Sequence, residues 1–350
     1  MAGSEAPPFW FRKKGWAAYC LAPLSWAYGA AARWRMDNAR PHEVMAPVIC
    51  IGNLTVGGSG KTPTAIAIAK AVRDEGYTPG FLTRGYGGSH AGPHLVDLDH
   101  DTASAVGDEP LLLARVAPTI VARNRAAGAK KLLEHGVDFI VMDDGFQSRK
   151  VYFDYALIAL DARRGLGNGA VIPAGPLRAP VIDQMRHADA LLRIGDGAGG
   201  VAVVRAAARA AKPVLRADLV PHRLEGLDNA QLLAFSGIGD PSKFFETLET
   251  AGYSIASRRS FGDHHAFTDA DAEELLGRAR AENLVPVTTE KDAVRLSRLN
   301  GPIAELREMT RVLPVDLVFE NRVAQKELIA EVARRYHKRR ISRPAVSPDP

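Results

Sequence analysis

From residue 46 the chain alternates short, continuous apolar runs with longer stretches whose apolar positions recur at helical spacing. The runs predict strands at Val48–Gly52, Thr78–Thr83, Thr119–Val121, Asp138–Met142, Tyr155–Leu160, Ala190–Arg193 and Val214–Ala217. Between them the spacing predicts helices at Pro63–Glu75, Glu109–Val116, Arg123–His135 and Ile182–His187. Apolar runs without alternation suit strands buried on both faces, so the pattern reads as an α/β fold with a largely parallel sheet. A second alternating block starts near Leu232. It predicts strands at Leu232–Ser236, Tyr253–Ser260, Val285–Thr288 and Val312–Val318, and helices at Pro241–Ala251, Asp269–Glu282, Asp292–Leu296 and Lys326–Arg339. The reading is therefore a larger unit over 41–225 and a smaller α/β unit over 226–340, ending in a Pro-rich tail at 341–350.

The first forty residues follow a different pattern. Phe9-Trp10-Phe11 leads into Arg12-Lys13-Lys14, and an uncharged stretch from Gly15 to Ala32 precedes Arg33 and Arg35. A signal peptide would carry the chain out of the compartment that holds nucleoside triphosphates. A spanning helix needs about 20 strongly apolar residues, and this stretch is Ala-rich and interrupted by Pro23, Ser25 and Gly29. A helix packed plainly on the globular body is a further reading. The favoured one is an interfacial anchor, with aromatic rings at headgroup depth and flanking cations facing anionic lipid.

Composition narrows the classes. With 46% hydrophobic and 24% charged residues and a net charge of +5, the chain is an ordinary globular protein. Basic residues are not interleaved with aromatics as in nucleic-acid binders, so no nucleic acid is expected as a partner. Two cysteines, Cys20 and Cys50, offer neither a disulfide framework nor metal-ligand spacing, which fits a reducing cytosol.

The chemistry starts at TVGGSGKT, comprising Thr55, Val56, Gly57, Gly58, Ser59, Gly60, Lys61 and Thr62. It lies between the first strand and the first helix, which is the order of a phosphate-binding loop, although Thr55 stands where the first glycine is usual. Backbone N–H groups and the helix N-terminus converge on phosphates there, Lys61 reaches the β/γ-phosphates, and the Thr62 hydroxyl is placed to hold Mg²⁺. The loop implies a nucleoside triphosphate. Downstream, a hydrophobic strand ends in Asp143-Asp144, where such enzymes keep an acid for Mg²⁺; a simple Asp-Asp-Gly turn is the alternative. Asp108 in GDEP is either a helix cap or a general base. Of the adjacent His264 and His265, one suits orientation or activation of a base better than metal ligation. Arg84 in TRGYGG and Arg178 in PAGPLR suit phosphate recognition, with a solvated surface role as the alternative. TTEKD (288–292) reads as a capped helix start.

Taken together, GNLTVGGSGKTP (52–63), TRGYGG (83–88), GDEP (107–110), DDGFQ (143–147), PAGPLR (173–178), FGDHH (261–265) and TTEKD (288–292) resemble the tetraacyldisaccharide 4′-kinases of lipid A biosynthesis over about residues 45–320. In that family the loop itself begins with Thr, so Thr55 becomes a match. The resemblance implies a P-loop NTPase-type parallel sheet domain, a second, smaller α/β domain and an N-terminal membrane-associated helix. It implies transfer of the γ-phosphoryl of ATP to the 4′-hydroxyl of a lipid-linked glucosamine disaccharide 1-phosphate, forming lipid IVA. ATP and Mg²⁺ would be the cofactors, and the chain would sit as a monotopic protein on the cytoplasmic face of the inner membrane. Residues 55–62 would wrap the triphosphate, with Lys61 catalytic and Thr62, Asp143 and Asp144 serving the metal. Asp108 would be the base, paired with His264. Arg84, Gln147 and Arg178 would face the disaccharide or its phosphate.

Two positions depart from the family pattern: Ser148 where His often follows DDGFQ, and Ala179 where Glu often follows the LR of GPLR. The second removes a possible metal or substrate contact. The rival class is a membrane-attached P-loop switch or partitioning ATPase, whose loop usually carries a second Lys where this chain has Val56. A GTPase base-reading motif and a transporter signature are also missing from the sequence.

Overall fold

The computed structural model describes residues 7–58, 60–227, 229–297 and 300–342; Ser59 of the predicted phosphate loop lies outside the described residues, as do 1–6 and the tail beyond 342. Its strands, in chain order, are β1 (Val48–Asn53), β2 (Pro79–Thr83), β3 (His94–Leu95), β4 (Thr119–Val121), β5 (Phe139–Asp143), β6 (Tyr155–Asp161), β7 (Ala190–Ile194), β8 (Val214–Pro221), β9 (Gln231–Ser236), β10 (Ser254–Ser260), β11 (Val285–Thr289), β12 (Arg311–Leu313) and β13 (Val315–Phe319).

Nine of them form one sheet in the order β13-β8-β7-β6-β1-β5-β2-β4-β3. The strands from β8 through β4 in that order run parallel, and β13 and β3 close the two edges antiparallel. β1, β2, β5 and β6 are buried along their whole length, which is why their sequences are unbroken apolar runs. Helices cover both faces. One core carries side chains of β1 and β5 with Ala32 and Met36 of the N-terminal helix and Leu132; the other packs Ile68, Leu113, Leu328 and Val332 against Ile49, Phe139 and Val141. All parallel strands end on the same side, so the loops after β1, β2, β5, β6 and β7 share one rim, the usual ligand edge of such a sheet.

The second sheet is parallel throughout, in the order β10-β9-β11-β12. Its carboxyl ends carry Gly237, the Gly262–His265 turn and the Glu290–Ala293 helix, and these face the rim of the large sheet. Two sets of contacts join the rims. One runs through Asp108 and Glu109, described below. The other pairs Arg163 with Glu246 (2.5 and 2.9 Å), Arg164 with Asp240 (3.1 Å) and Lys243 with Asp161 (3.1 Å).

The sequence reading placed everything from 226 to 340 in the smaller unit, with one strand over Val312–Val318. The structure divides that run at Pro314, which has no N–H to continue a ladder. β12 stays in the small sheet, whereas β13 returns to the large one and pairs antiparallel with β8, Val315 against Pro221 and Phe319 against Ala217. The final helix, Arg322–Ile341, then packs beside the helix Lys61–Asp74, and Gln325 Nε2 donates to the Ala67 carbonyl (3.2 Å). The helix Pro302–Met309 was not anticipated, and the one expected at Asp292–Leu296 is the shorter Glu290–Ala293.

At the N-terminus a 3₁₀ turn (Pro8–Phe11) and two helices (Trp16–Cys20 and Ala22–Asp37) lie on the large unit. Ser25, Gly29, Ala32 and Met36 recur at helical spacing and are buried. Ser25 Oγ donates to the Val171 carbonyl (2.8 Å) and accepts from Ala174 N–H (2.9 Å), while Trp10 Nε1 donates to Pro173 (3.0 Å). The outward side shows Trp16 80% exposed, Trp26 78% and Trp34 69%. Among the described residues no helix is long and apolar enough to cross a membrane.

Candidate active site

The loop after β1 is built against a second segment. Val56 N–H donates to the Pro176 carbonyl (2.8 Å), Arg178 N–H donates to Leu54 (2.9 Å), and Thr55 forms an isolated antiparallel bridge with Leu177. Strand-like pairing at Thr55 needs no left-handed backbone, so a β-branched residue fits where glycine is more usual. The glycine requirement sits elsewhere. Gly60 has φ +80, and a Cβ there would fall 2.7 Å from Ile194 Cδ1. The helix Lys61–Asp74 begins at the next residue, with Thr62 buried in its first turn.

β5 delivers the two acids into distinct settings. Asp143 is fully buried, and neither carboxylate oxygen has a hydrogen-bond partner among the described residues. Burial, reinforced by the negative charge of Glu109, pushes its carboxyl up to about 7. Asp144, one residue on, takes φ +54, in the left-handed region that Asp enters more readily than most non-glycine residues. Its carboxylate meets Arg178 Nη1 at 2.8 Å and Lys61 Nζ at 3.9 Å. Burial alone would raise its pKa, but Lys61 and then Arg178 bring it below the usual value. The turn is fixed from behind by Arg125, a buried guanidinium that donates to the carbonyls of Leu82 (3.0 Å), Asp143 (3.4 Å) and Asp144 (2.7 Å).

Across the rim, Asp108 begins the helix Asp108–Ala114 and is buried. Its Oδ2 accepts from His264 Nδ1 (3.0 Å) and from Nε of Arg295 (3.2 Å), whose Nη2 contacts the same oxygen closely; Oδ1 accepts Glu109 N–H (3.0 Å). Burial would raise this carboxyl, yet the His264 hydrogen bond and the charges of Lys291 and Arg295 hold it far below the ordinary carboxylate range. The same hydrogen bond raises the His264 pKa above its usual value, against burial. His264 sits at φ +58, with its N–H on the Gly237 carbonyl (3.1 Å). Lys291 Nζ pairs with Glu109 at 2.7 Å.

TTEKD therefore does more than cap a helix. Thr289 Oγ1 accepts Asp292 N–H (3.1 Å) as a cap, but buried Asp292 also accepts from Ser236 Oγ (2.9 Å), Gly237 N–H (3.0 Å) and Arg295 Nη1 (2.9 Å). Arg295 and Arg125 were missed from sequence. Arg125 opens a helix and Arg295 follows one, and nothing local to either marks a guanidinium that will be buried, on backbone carbonyls in the first case and on Asp108 in the second.

The other anticipated residues are distributed as follows. Gln147 Nε2 donates to the Asn53 carbonyl (2.7 Å) and Gln184 Oε1 (3.0 Å), so its amide supports the phosphate loop from within. Arg178 touches Asp144 and, through Nε, the Thr55 carbonyl (3.3 Å). Arg84 is exposed at the end of β2, and the neighbouring Tyr86 ring lies 5.9 Å from that of His264. His265 binds Asp271 (3.0 Å) and stacks on Phe261, a packing role distinct from that of His264.

Comparison with known proteins gives a consistent result. The family model described as tetraacyldisaccharide-1-P 4′-kinase matches residues 17–334. A tetraacyldisaccharide 4′-kinase of Chelativorans sp. (strain BNC1) is 50% identical over 343 residues, covering 98% of this chain and 100% of that protein. One of Agrobacterium fabrum is 52% identical over 318 residues, covering 91% of each. Among solved structures, LpxK from Aquifex aeolicus in complex with ATP superposes with a TM-score of 0.69 at 25% identity, covering 90% of this chain and 99% of that one.

Proposed function

This chain belongs to the tetraacyldisaccharide-1-P 4′-kinase family, and from that premise we propose that its site moves the γ-phosphoryl of ATP to the 4′-hydroxyl of a tetraacyldisaccharide 1-phosphate. It is an enzyme, a kinase. The 4′-oxygen forms the new P–O bond, the bond to the β,γ-bridging oxygen breaks, and ADP leaves. The hydroxyl proton passes to the Asp108–His264 pair. Phosphoryl transfer proceeds through a loose transition state in which positioning and charge stabilisation dominate, so a carboxylate held ionised by its neighbours is an adequate acceptor.

The observation that carries this reading is the Asp108–His264 hydrogen bond, each member supplied by a different unit, beside Glu109, which interacts electrostatically with Lys61 and Asp143 of the phosphate site. Lys61 would face the β/γ-phosphates, and the backbone of 55–58 and Gly60 would line their site. Asp143, buried with two unpartnered oxygens, and Thr62 fit a divalent cation, and these two would hold Mg²⁺. Bound there, Mg²⁺ would neutralise charge on the phosphate oxygens. Asp144, already paired with Lys61 and Arg178, orients those two cations and is the lesser candidate for the metal. Tyr86, exposed beside His264, and Arg84, exposed two residues before it, would border the space for the disaccharide head group.

The exposed tryptophans, with Arg12, Lys13, Lys14 and Arg35 also exposed, support attachment of the N-terminal helices to the cytoplasmic face of the inner membrane. A switch or partitioning ATPase is not favoured by the family match or by Val56.

The test is a lipid kinase assay in detergent with Mg-ATP and the disaccharide 1-phosphate lipid, read by thin-layer separation. Wild type gains a phosphorylated lipid, and Lys61→Ala loses most of that product. ATP turnover with no phosphate on the lipid would overturn the reading.

A further inference from the structure

Between β2 and Asp108 the chain makes a detour through residues 89–106, and three side chains on it converge away from the phosphate site. One ligand atom each from His90, His94 and Asp101 lies within 4.8 Å of the others. The two imidazoles are stacked, 4.4 Å apart and 3° from parallel, and His94 Nε2 is 2.7 Å from Asp101 Oδ2. The backbone fixes this convergence. Gly92 takes φ +75 where a Cβ would fall 2.1 Å from the Val121 carbonyl, so the chain can pass close to β4 only with glycine there. His94 and Leu95 pair with Val121 and Ile120, while His90 N–H binds the Ala105 carbonyl (2.9 Å) and Asp101 N–H binds that of Asp97 (2.8 Å). Asp97 N–H also donates to Asp101 Oδ2 (2.8 Å), which leaves the carboxylate aimed at the imidazoles. Asp97 and Asp99 add negative charge nearby.

We propose that His90, His94 and Asp101 form a binding site for a divalent transition metal of the zinc class, separate from the phosphate-site cation and serving to brace the approach to Asp108. Two imidazole nitrogens and one carboxylate oxygen, with water in a fourth position, are a donor set that zinc-class ions accept, whereas Mg²⁺ prefers oxygen alone. Bonds of about 2.0–2.1 Å would set tetrahedral donors roughly 3.3 Å apart, so the ligands need to move only by side-chain adjustments. The bound ion would tie together the segment after the Arg84 loop, the edge strand β3 and the turn that precedes Gly107-Asp108.

The experiment uses the full chain, stripped with chelator and dialysed, titrated with zinc chloride by calorimetry and with Co²⁺ by visible spectroscopy. The expected result is one saturable Zn²⁺ per chain, with binding weakened at least about tenfold in His90→Ala and in Asp101→Asn. Asp143→Asn retains it, which separates this site from the phosphate site. Circular dichroism checks each variant, and His90 is exposed enough for its variant to keep the fold if the other does not. Absence of saturable binding, binding unchanged in His90→Ala, or binding lost in Asp143→Asn would each overturn the assignment.

Discussion

His264 Nδ1 lies 3.0 Å from Asp108 Oδ2 although 156 positions separate the two residues and they hang from different sheets. The pair exists only while the two rims are docked, so the proposed proton acceptor is assembled by tertiary structure. Asp108→Asn keeps the shape and removes the charge; kcat should fall by roughly 10²- to 10⁴-fold with little change in ATP affinity. Steady-state kinetics with the lipid acceptor, alongside nucleotide titration, tests this. A kcat within about threefold of wild type would assign Asp108 to a structural ion pair alone; it does not cap its helix, whose N-cap is Gly107.

The same pair sets a pH dependence of stability. His264 has its pKa raised above 6.5 by the hydrogen bond to Asp108, so its contribution is fully present below about 6.5 and fades as pH rises through the higher folded value. Asp108 is depressed below 3.8, so its part is present above that value and is lost only in strong acid. The melting-temperature gap between wild type and His264→Gln should therefore be widest between about pH 4 and 6.5 and narrow toward pH 9. A gap that widens with pH would contradict the pairing.

Arg295 joins Asp108 to Asp292 with its side chain 5% exposed. Arg295→Met takes the shared guanidinium away from two buried carboxylates, leaving Asp108 only His264 and the charge of Lys291, and removal of one partner from a buried charged cluster costs about 3–5 kcal/mol. Urea denaturation should show that loss, and Arg295→Lys should recover only part of it because an ammonium cannot reproduce the fork. Full recovery of wild-type stability in Arg295→Lys would show that the fork geometry is unimportant there.

How much of this was legible in sequence follows from what is local. The phosphate loop, the Asp143-Asp144 strand end and most parallel strands announce themselves within a dozen residues, because strand, turn and helix chemistry is written in neighbours. Thr55 departs from the general loop pattern and matches only through the family resemblance; the physical reason, its pairing with Leu177, is a contact made across the fold. Arg125 holds backbone carbonyls 18 to 43 residues away and Arg295 reaches Asp108 187 residues away, and no periodicity marks them. β13 was misassigned because its apolar alternation suits either sheet, and only the break at Pro314 and pairing with β8 decide between them.

The N-terminal helices offer a separable test. Trp16, Trp26 and Trp34 are exposed and contribute little to the core, so changing all three to Ser should leave the melting temperature nearly unchanged. Sedimentation with vesicles containing anionic lipid should fall several-fold, and KM for the lipid should rise while KM for ATP holds. Unchanged sedimentation of the triple variant would count against attachment through this surface.

The loop itself distinguishes two kinds of position. Thr55 is paired in extended conformation, so Thr55→Gly should fold and bind nucleotide, losing only about 0.5–1 kcal/mol through the added freedom of the unfolded backbone. Gly60→Ala places a methyl 2.7 Å from Ile194 Cδ1 at φ +80. Rotation of Ile194 can relieve the contact but not the backbone strain, which by itself costs about 1–3 kcal/mol. Because Gly60 precedes Lys61, that strain should be relieved by shifting the start of the helix, and ATP affinity should fall by at least about tenfold. If Gly60→Ala/Ile194→Val restored ATP affinity fully, the contact and not the left-handed backbone would be the constraint at this position.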